Sequence, residues 1–131
     1  MATSADNFDA NDFEVIKELG SGRFGKVYLI KHYTTGELLA RKEIKLSHLP
    51  DNEDARARTM LEVDVMKQIN HKHIMAFRYH FITIDYLHIY TEYCSGEDLK
   101  KLIVKLSKFA LPEKLIVCWL SQMVDALKVS Y

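Results

Sequence analysis

The stretch Leu19-Gly20-Ser21-Gly22-Arg23-Phe24-Gly25-Lys26-Val27 sets three glycines at G-x-G-x-x-G spacing and ends on a valine. A strand-like run follows, and Lys42 comes after Leu39-Ala40-Arg41. Three phosphate-binding readings compete for this pattern. A dinucleotide-binding turn passes directly into a helix, and a Walker loop needs Ser or Thr after Gly25-Lys26 and again a helix. Val27 stands in that Ser/Thr position, and Val27-Tyr28-Leu29-Ile30 is β-branched, aromatic and apolar, which predicts a strand. Glycines between two strands make a hairpin whose backbone lies close over a phosphate chain, because no Cβ obstructs it and positive φ is open to them. A lid is expected, not a helix-capped cradle. The bland alternative, an ordinary glycine-rich turn, is disfavoured by Val27 together with Ala40 and Lys42 on the next strand.

A chain of 131 residues fits one ordinary domain with a buried core. Lys plus Arg and Asp plus Glu are 18 each, so the net charge is zero and nothing electrostatic favours nucleic acid or an acidic membrane. Cys94 and Cys118 have no metal-ligand spacing and do not make a secreted disulfide scaffold, which points to a reducing compartment. Residues 1–12 are polar and acidic, without a signal-peptide pattern, and no apolar run reaches a membrane span. A soluble, intracellular, cytoplasmic protein is expected, with neither nucleic acid nor membrane as partner.

Residues 1–11 read as a flexible leader. A first strand begins at Phe13 and ends at the glycines, Tyr33-Thr34-Thr35-Gly36-Glu37 is a turn, and Leu38 to Ile44 is a third strand. From Asp51 the period becomes helical. Glu62, Val65, Met66 and Ile69 share one stripe, so a carboxylate lies among apolar groups and needs either a partner or a rim position that reaches water. His71 and His73 lack a nearby third ligand and are not read as a metal site. Phe77 to Ile84 and Leu87 to Glu92 are strands about Asp85-Tyr86. Ser95-Gly96-Glu97-Asp98 starts a short helix with Leu99, Leu102, Ile103 and Leu106 on its apolar face. A last helix opens at Leu111-Pro112-Glu113 and carries Ile116, Trp119, Leu120, Met123 and Leu127.

This order of glycine lid, lysine strand, helix with a glutamate, two strands and two helices resembles the small lobe of a eukaryotic protein kinase domain plus the first part of its large lobe. The likeness runs from about Phe13 to Leu127. Asp12-Phe13-Glu14, the run Thr91 to Leu99 and Cys118-Trp119-Leu120-Ser121-Gln122 are most similar to the NIMA-related serine/threonine kinases. The resemblance implies an α+β fold: a five-stranded antiparallel sheet with one helix in residues 12–94, then two helices of an incomplete large lobe in residues 95–131. It implies that Leu19, Val27 and Ala40 enclose adenine and that lid backbone from Gly20 to Lys26 covers the phosphates of ATP. Lys42 would contact the phosphates, Glu62 would hold Lys42, and Thr91 would stand at the back of the pocket. Glu92, Tyr93 and Cys94 would be the hinge that pairs with the adenine edge, and Met66 and Phe77 would join one hydrophobic stack. Arg41 takes the place of a usual apolar residue and is expected to point away from the pocket where its neighbours are polar.

No His-Arg-Asp, Asp-Phe-Gly or Ala-Pro-Glu occurs in the sequence. A kinase draws its base, its magnesium ligands and its peptide platform from those motifs, so no catalytic residue and no metal ligand is assigned here, and magnesium is expected only in a complete domain. The leading expectation is the ATP-binding portion of a truncated serine/threonine kinase, incompetent alone, with a protein substrate only in the complete domain. The rival is a small kinase-derived module that senses nucleotide or binds a protein. Residues 111–131, with their apolar stripe, are expected either to fray, to fold back on the small lobe or to mediate self-association.

Overall fold

A computed structural model describes residues 8–23, 25–49, 51, 53–96 and 98–130. Strands β1 (Phe13–Ser21), β2 (Gly25–His32), β3 (Leu38–Lys45), β4 (Phe77–Ile82) and β5 (Tyr86–Glu92) form one antiparallel sheet in the order β1-β2-β3-β5-β4. Helix α1 (Glu53–Gln68) stands between β3 and β4 in the chain, and α2 (Leu99–Lys105) and α3 (Glu113–Ser130) follow the sheet. This is the α+β architecture expected from the sequence. The chain divides into two compact units, Met1–Gln68 with Ala76–Tyr93, and Ile69–Met75 with Cys94–Tyr131.

Alternation along the strands gives the sheet two faces. On one face Ile44, Leu87 and Ile89 cluster with Val63 of α1, and Met66 and Phe77 pack against them. On the other face Phe13, Ile30, Leu39 and Tyr90 cluster, joined by Tyr28, Phe81 and Phe8. Tyr90, Ile30, Leu39, Leu87 and Val63 are fully buried and anchor the two layers. At the β2–β3 turn Gly36 takes φ +73°, a conformation that a Cβ would penalise, while His32 Nδ1 accepts from the backbone N–H groups of Thr34 and Thr35 at 3.2 and 3.1 Å.

Three local readings are corrected. The buried line of α1 centres on Val63, with Met66 half-buried beside it, whereas Val65 is 48% exposed. The apolar groups at 65, 66 and 69 suit more than one helix rotation, and the sheet selects the one that inserts Val63. Helix α2 is capped by Asp98 rather than Ser95, because the Asp98 carboxylate accepts from Lys101 N–H at 2.7 Å. The end of the expected flexible leader is built into the fold: Phe8 lies against Tyr79 and Tyr90, both at 4.7 Å, and Ala10–Asp12 forms a 3-10 turn capped by the Asp9 side chain.

Within the second unit His71 Nε2 and Asp125 Oδ2 are 3.2 Å apart, tying the segment after α1 to α3. Trp119, Met123 and Leu127 of α3, with Leu102, Ile69 and Ile74, line an open apolar groove of about 780 Å³. Among the described residues, no helix is long and apolar enough to cross a membrane.

Candidate functional site

The glycine segment is a hairpin between two strands. β1 ends at Ser21, β2 begins at Gly25, and Gly22 N–H donates to the Gly25 carbonyl at 2.9 Å. Its glycines do different work. A Cβ on Gly25 would fall 1.7 Å from the Glu43 carbonyl oxygen, so this position must be bare for β2 to lie against β3. Gly20 and Gly22 have nothing within 4 Å of a Cβ position, which leaves open space over the hairpin backbone. Neither uses the positive φ that the sequence reading invoked; among the described residues only Gly36 does. Phe24, expected in the lid, lies outside the described residues.

Register then sets the candidate residues on one face. Gly20 pairs with Val27, Val27 with Lys42 and Lys42 with Ile89, while Leu29 pairs with Ala40 and Ala40 with Thr91. Val27, Ala40, Lys42 and Thr91 therefore share the face on which α1 packs. Ala40 and Thr91 are buried, Val27 is half-buried and Lys42 is exposed. The β1–β2 ladder slips between Glu18 and Gly20, so Leu19 is the extra residue of a bulge and lies half-buried there. Ser21 and Lys26 are register partners at the mouth of the hairpin, and Lys26 Nζ lies 3.9 Å from Glu18. Arg23 is exposed beside them.

Glu62 lies on the flank of α1 shared with Met66 and Thr59, and it is exposed. Among the described residues no ion pair joins it to Lys42, so this structure does not bring the expected pair together. Met66 and Phe77, by contrast, do meet around the same buried cluster. His80 closes the row opposite Ile89, and burial, with the Lys67 charge second, holds its imidazole below the ordinary range.

At the end of β5, Glu92 binds the residue before β4 twice. Its N–H donates to the Ala76 carbonyl at 2.9 Å and its carboxylate accepts from Ala76 N–H at 2.7 Å. That carboxylate is thereby committed to backbone. Thr91 donates its hydroxyl to the Glu92 carbonyl at 3.2 Å. Tyr93 is half-buried and Cys94 is an exposed free thiol, and the boundary between the two units falls between them.

The opposite face holds a polar cluster that the sequence reading reached only at Arg41. Arg41 Nη2 lies 3.0 Å from Glu43 Oε1, its guanidinium carbon is 5.5 Å from the centre of the Tyr28 ring, and His88 Nδ1 is 3.7 Å from the same Glu43 oxygen. Burial lowers the His88 pKa, with Glu43 opposing and Arg41 reinforcing the shift; burial raises that of Tyr90, against the Arg41 charge. Alternation places Arg41 away from Lys42, as expected for a position with polar neighbours.

Residues 13–131 match the protein kinase domain. The chain is 35% identical over 126 residues to cytokinesis protein sepH of Emericella nidulans, covering 95% of this chain and 9% of that protein. It is 33% identical over 124 residues to the G2-specific protein kinase nimA of the same organism, covering 91% and 17%. A probable serine/threonine protein kinase, IREH1 of Arabidopsis thaliana, is 32% identical over 123 residues, covering 94% and 9%. The chain thus spans a small fraction of the length of these relatives. With a glycine hairpin, a lysine strand and a helix-bearing sheet in kinase order, and a match over residues 13–131, this chain belongs to the protein kinase family.

Proposed function

We propose that the sheet face carrying Val27, Ala40 and Lys42, under the Gly20–Lys26 hairpin, binds ATP, as the nucleotide-binding part of a serine/threonine kinase. One observation carries this reading: register aligns Gly20, Val27 and Lys42 in a single row beside Ala40 and Thr91. A cation thereby stands next to a hairpin with open backbone, the chemistry that polyphosphate requires. Leu19, Val27 and Ala40 supply apolar surface for adenine, and backbone groups of Glu92, Tyr93 and Cys94 read its edge. Lys42 meets the phosphates, and Glu62 serves as its counter-charge in the nucleotide-bound form.

The 131 residues carry none of the three catalytic motifs, so they bind nucleotide without transferring phosphate on their own. Magnesium and a protein substrate belong to a complete domain. Titration of ATP with and without magnesium tests this proposal. Binding is expected to depend little on magnesium and to weaken by about tenfold, or about 1.4 kcal/mol, in Lys42→Met. Equal affinity in that variant would place the nucleotide elsewhere, and labelled phosphate transferred to a basic protein by the repurified chain would overturn the assignment of binding alone.

A further inference from the structure

We propose that Arg41 and Glu43 form a staple that spans Lys42 from the opposite face of the sheet and positions that lysine for its phosphate ligand. The inference rests on the nucleotide reading of the Lys42 face and assigns Arg41 and Glu43 as positioning residues for it.

The geometry is that of a clamp with Lys42 at its centre. Residues 41 and 43 point to one side of β3 and residue 42 to the other, and the two flanking side chains join at 3.0 Å. The clamp is held from three further strands. Tyr28, the register partner of Arg41 on β2, lies under the guanidinium, and His88, the partner of Glu43 on β5, stands 3.7 Å from the shared carboxylate oxygen. Phe81 of β4 stacks on His88 at 4.4 Å and 16°. The Arg41 and Glu43 side chains are only 15% and 22% exposed.

Stability alone gives a poor account of this cluster. A largely buried ion pair is often replaceable by apolar side chains at no loss. Here, among the described residues, Arg41 Nε and His88 Nδ1 are also buried without hydrogen-bond partners. Such groups impose a cost that apolar neighbours would not. What the pair does supply is geometry: two adjacent side chains bonded to each other fix the backbone of the residue between them. Lys42 needs this because its own side chain is exposed and not ion-paired with Glu62 in this structure, so its aim is inherited from its backbone.

The test compares the unsubstituted chain with Arg41→Leu/Glu43→Leu, Glu43→Gln and the conservative Arg41→Lys. ATP affinity, thermal midpoint and amide hydrogen exchange along β3 are measured for each. The apolar double variant is expected to keep its midpoint, to exchange faster at the Lys42 and Glu43 amides, and to bind ATP about threefold or more weakly. Glu43→Gln moves in the same direction, which keeps the test available if the double variant fails to fold, and Arg41→Lys retains most of the affinity. Unchanged exchange and affinity in the double variant overturn the staple. So does a loss of affinity that merely follows a general loss of protection across the sheet. If the unsubstituted chain binds no ATP, the nucleotide reading fails, and the exchange at Lys42 and Glu43 still decides the staple.

Discussion

Gly25 and Gly22 belong to one motif and are constrained by different physics. Replacing Gly25 by Ala drives a methyl group to within 1.7 Å of the Glu43 carbonyl oxygen, so β2 and β3 must part. The expected cost is roughly 3 kcal/mol of unfolding free energy. Gly22→Ala meets open space and is expected to change stability by no more than about 0.5 kcal/mol. Urea unfolding of the two variants side by side measures the contrast, and coincident midpoints would contradict it. A second residue-scale expectation concerns acid. The His88 and His80 pKa values both lie below the ordinary 6.5, chiefly through burial, so the unfolded chain takes up these protons more readily than the folded one. Their contribution to stability is complete above about pH 6.5 and declines as the pH falls from there through the folded values. His88→Gln should flatten part of that decline in a series of thermal melts; an unaltered slope would remove His88 from the account.

Among the elements, the segment before β1 shows how an aromatic anchor fixes a polar stretch. Phe8 meets Phe13, Tyr79 and Tyr90, so Phe8→Ala strips the outer aromatic layer of one member. The variant is expected to lose about 2 kcal/mol, below the cost of a fully buried Phe→Ala because Phe8 is half-buried. Equilibrium unfolding checks it, and an unchanged free energy would return Phe8 to the leader. The strands were legible from alternation and turn residues, and so was the placing of Ala40 and Lys42 on one side of β3 with Arg41 on the other. Other features depend on partners distant in sequence. Val63 becomes the buried centre of α1 only because Ile44, Leu87 and Ile89 surround it. Leu19 falls in a bulge that no local pattern announces, and Arg41 finds Glu43, Tyr28 and His88 only once three strands stand side by side. Phe8, alone among polar residues, gave no periodic signal at all.

At the scale of the molecule, α3 carries a run of exposed apolar side chains among the described residues. Val117, Leu120 and Val124 recur at helical spacing and are 57%, 55% and 54% exposed. Fully burying such a side chain contributes roughly 1.5 to 3 kcal/mol, and with about half of their surface still exposed, covering each of these contributes roughly half of that. The chain is therefore expected to self-associate as its concentration rises, and Leu120→Lys/Val124→Lys to shift it toward monomer. Light scattering across a dilution series reads this, and a monomer at every concentration before substitution would rule it out. The division of the chain bears on any attempt to dissect it. The second unit is discontinuous: Ile69–Met75 belongs with Cys94–Tyr131, although the sheet-forming segment Ala76–Tyr93 intervenes. A fragment ended at Tyr93 would retain His71 and lose Asp125, its partner at 3.2 Å. No single cut of the backbone yields the sheet unit alone. Its isolation calls for excision of residues 69–75 and a short splice from Gln68 to Ala76, which makes that loop a guest of one unit lodged in the thread of the other.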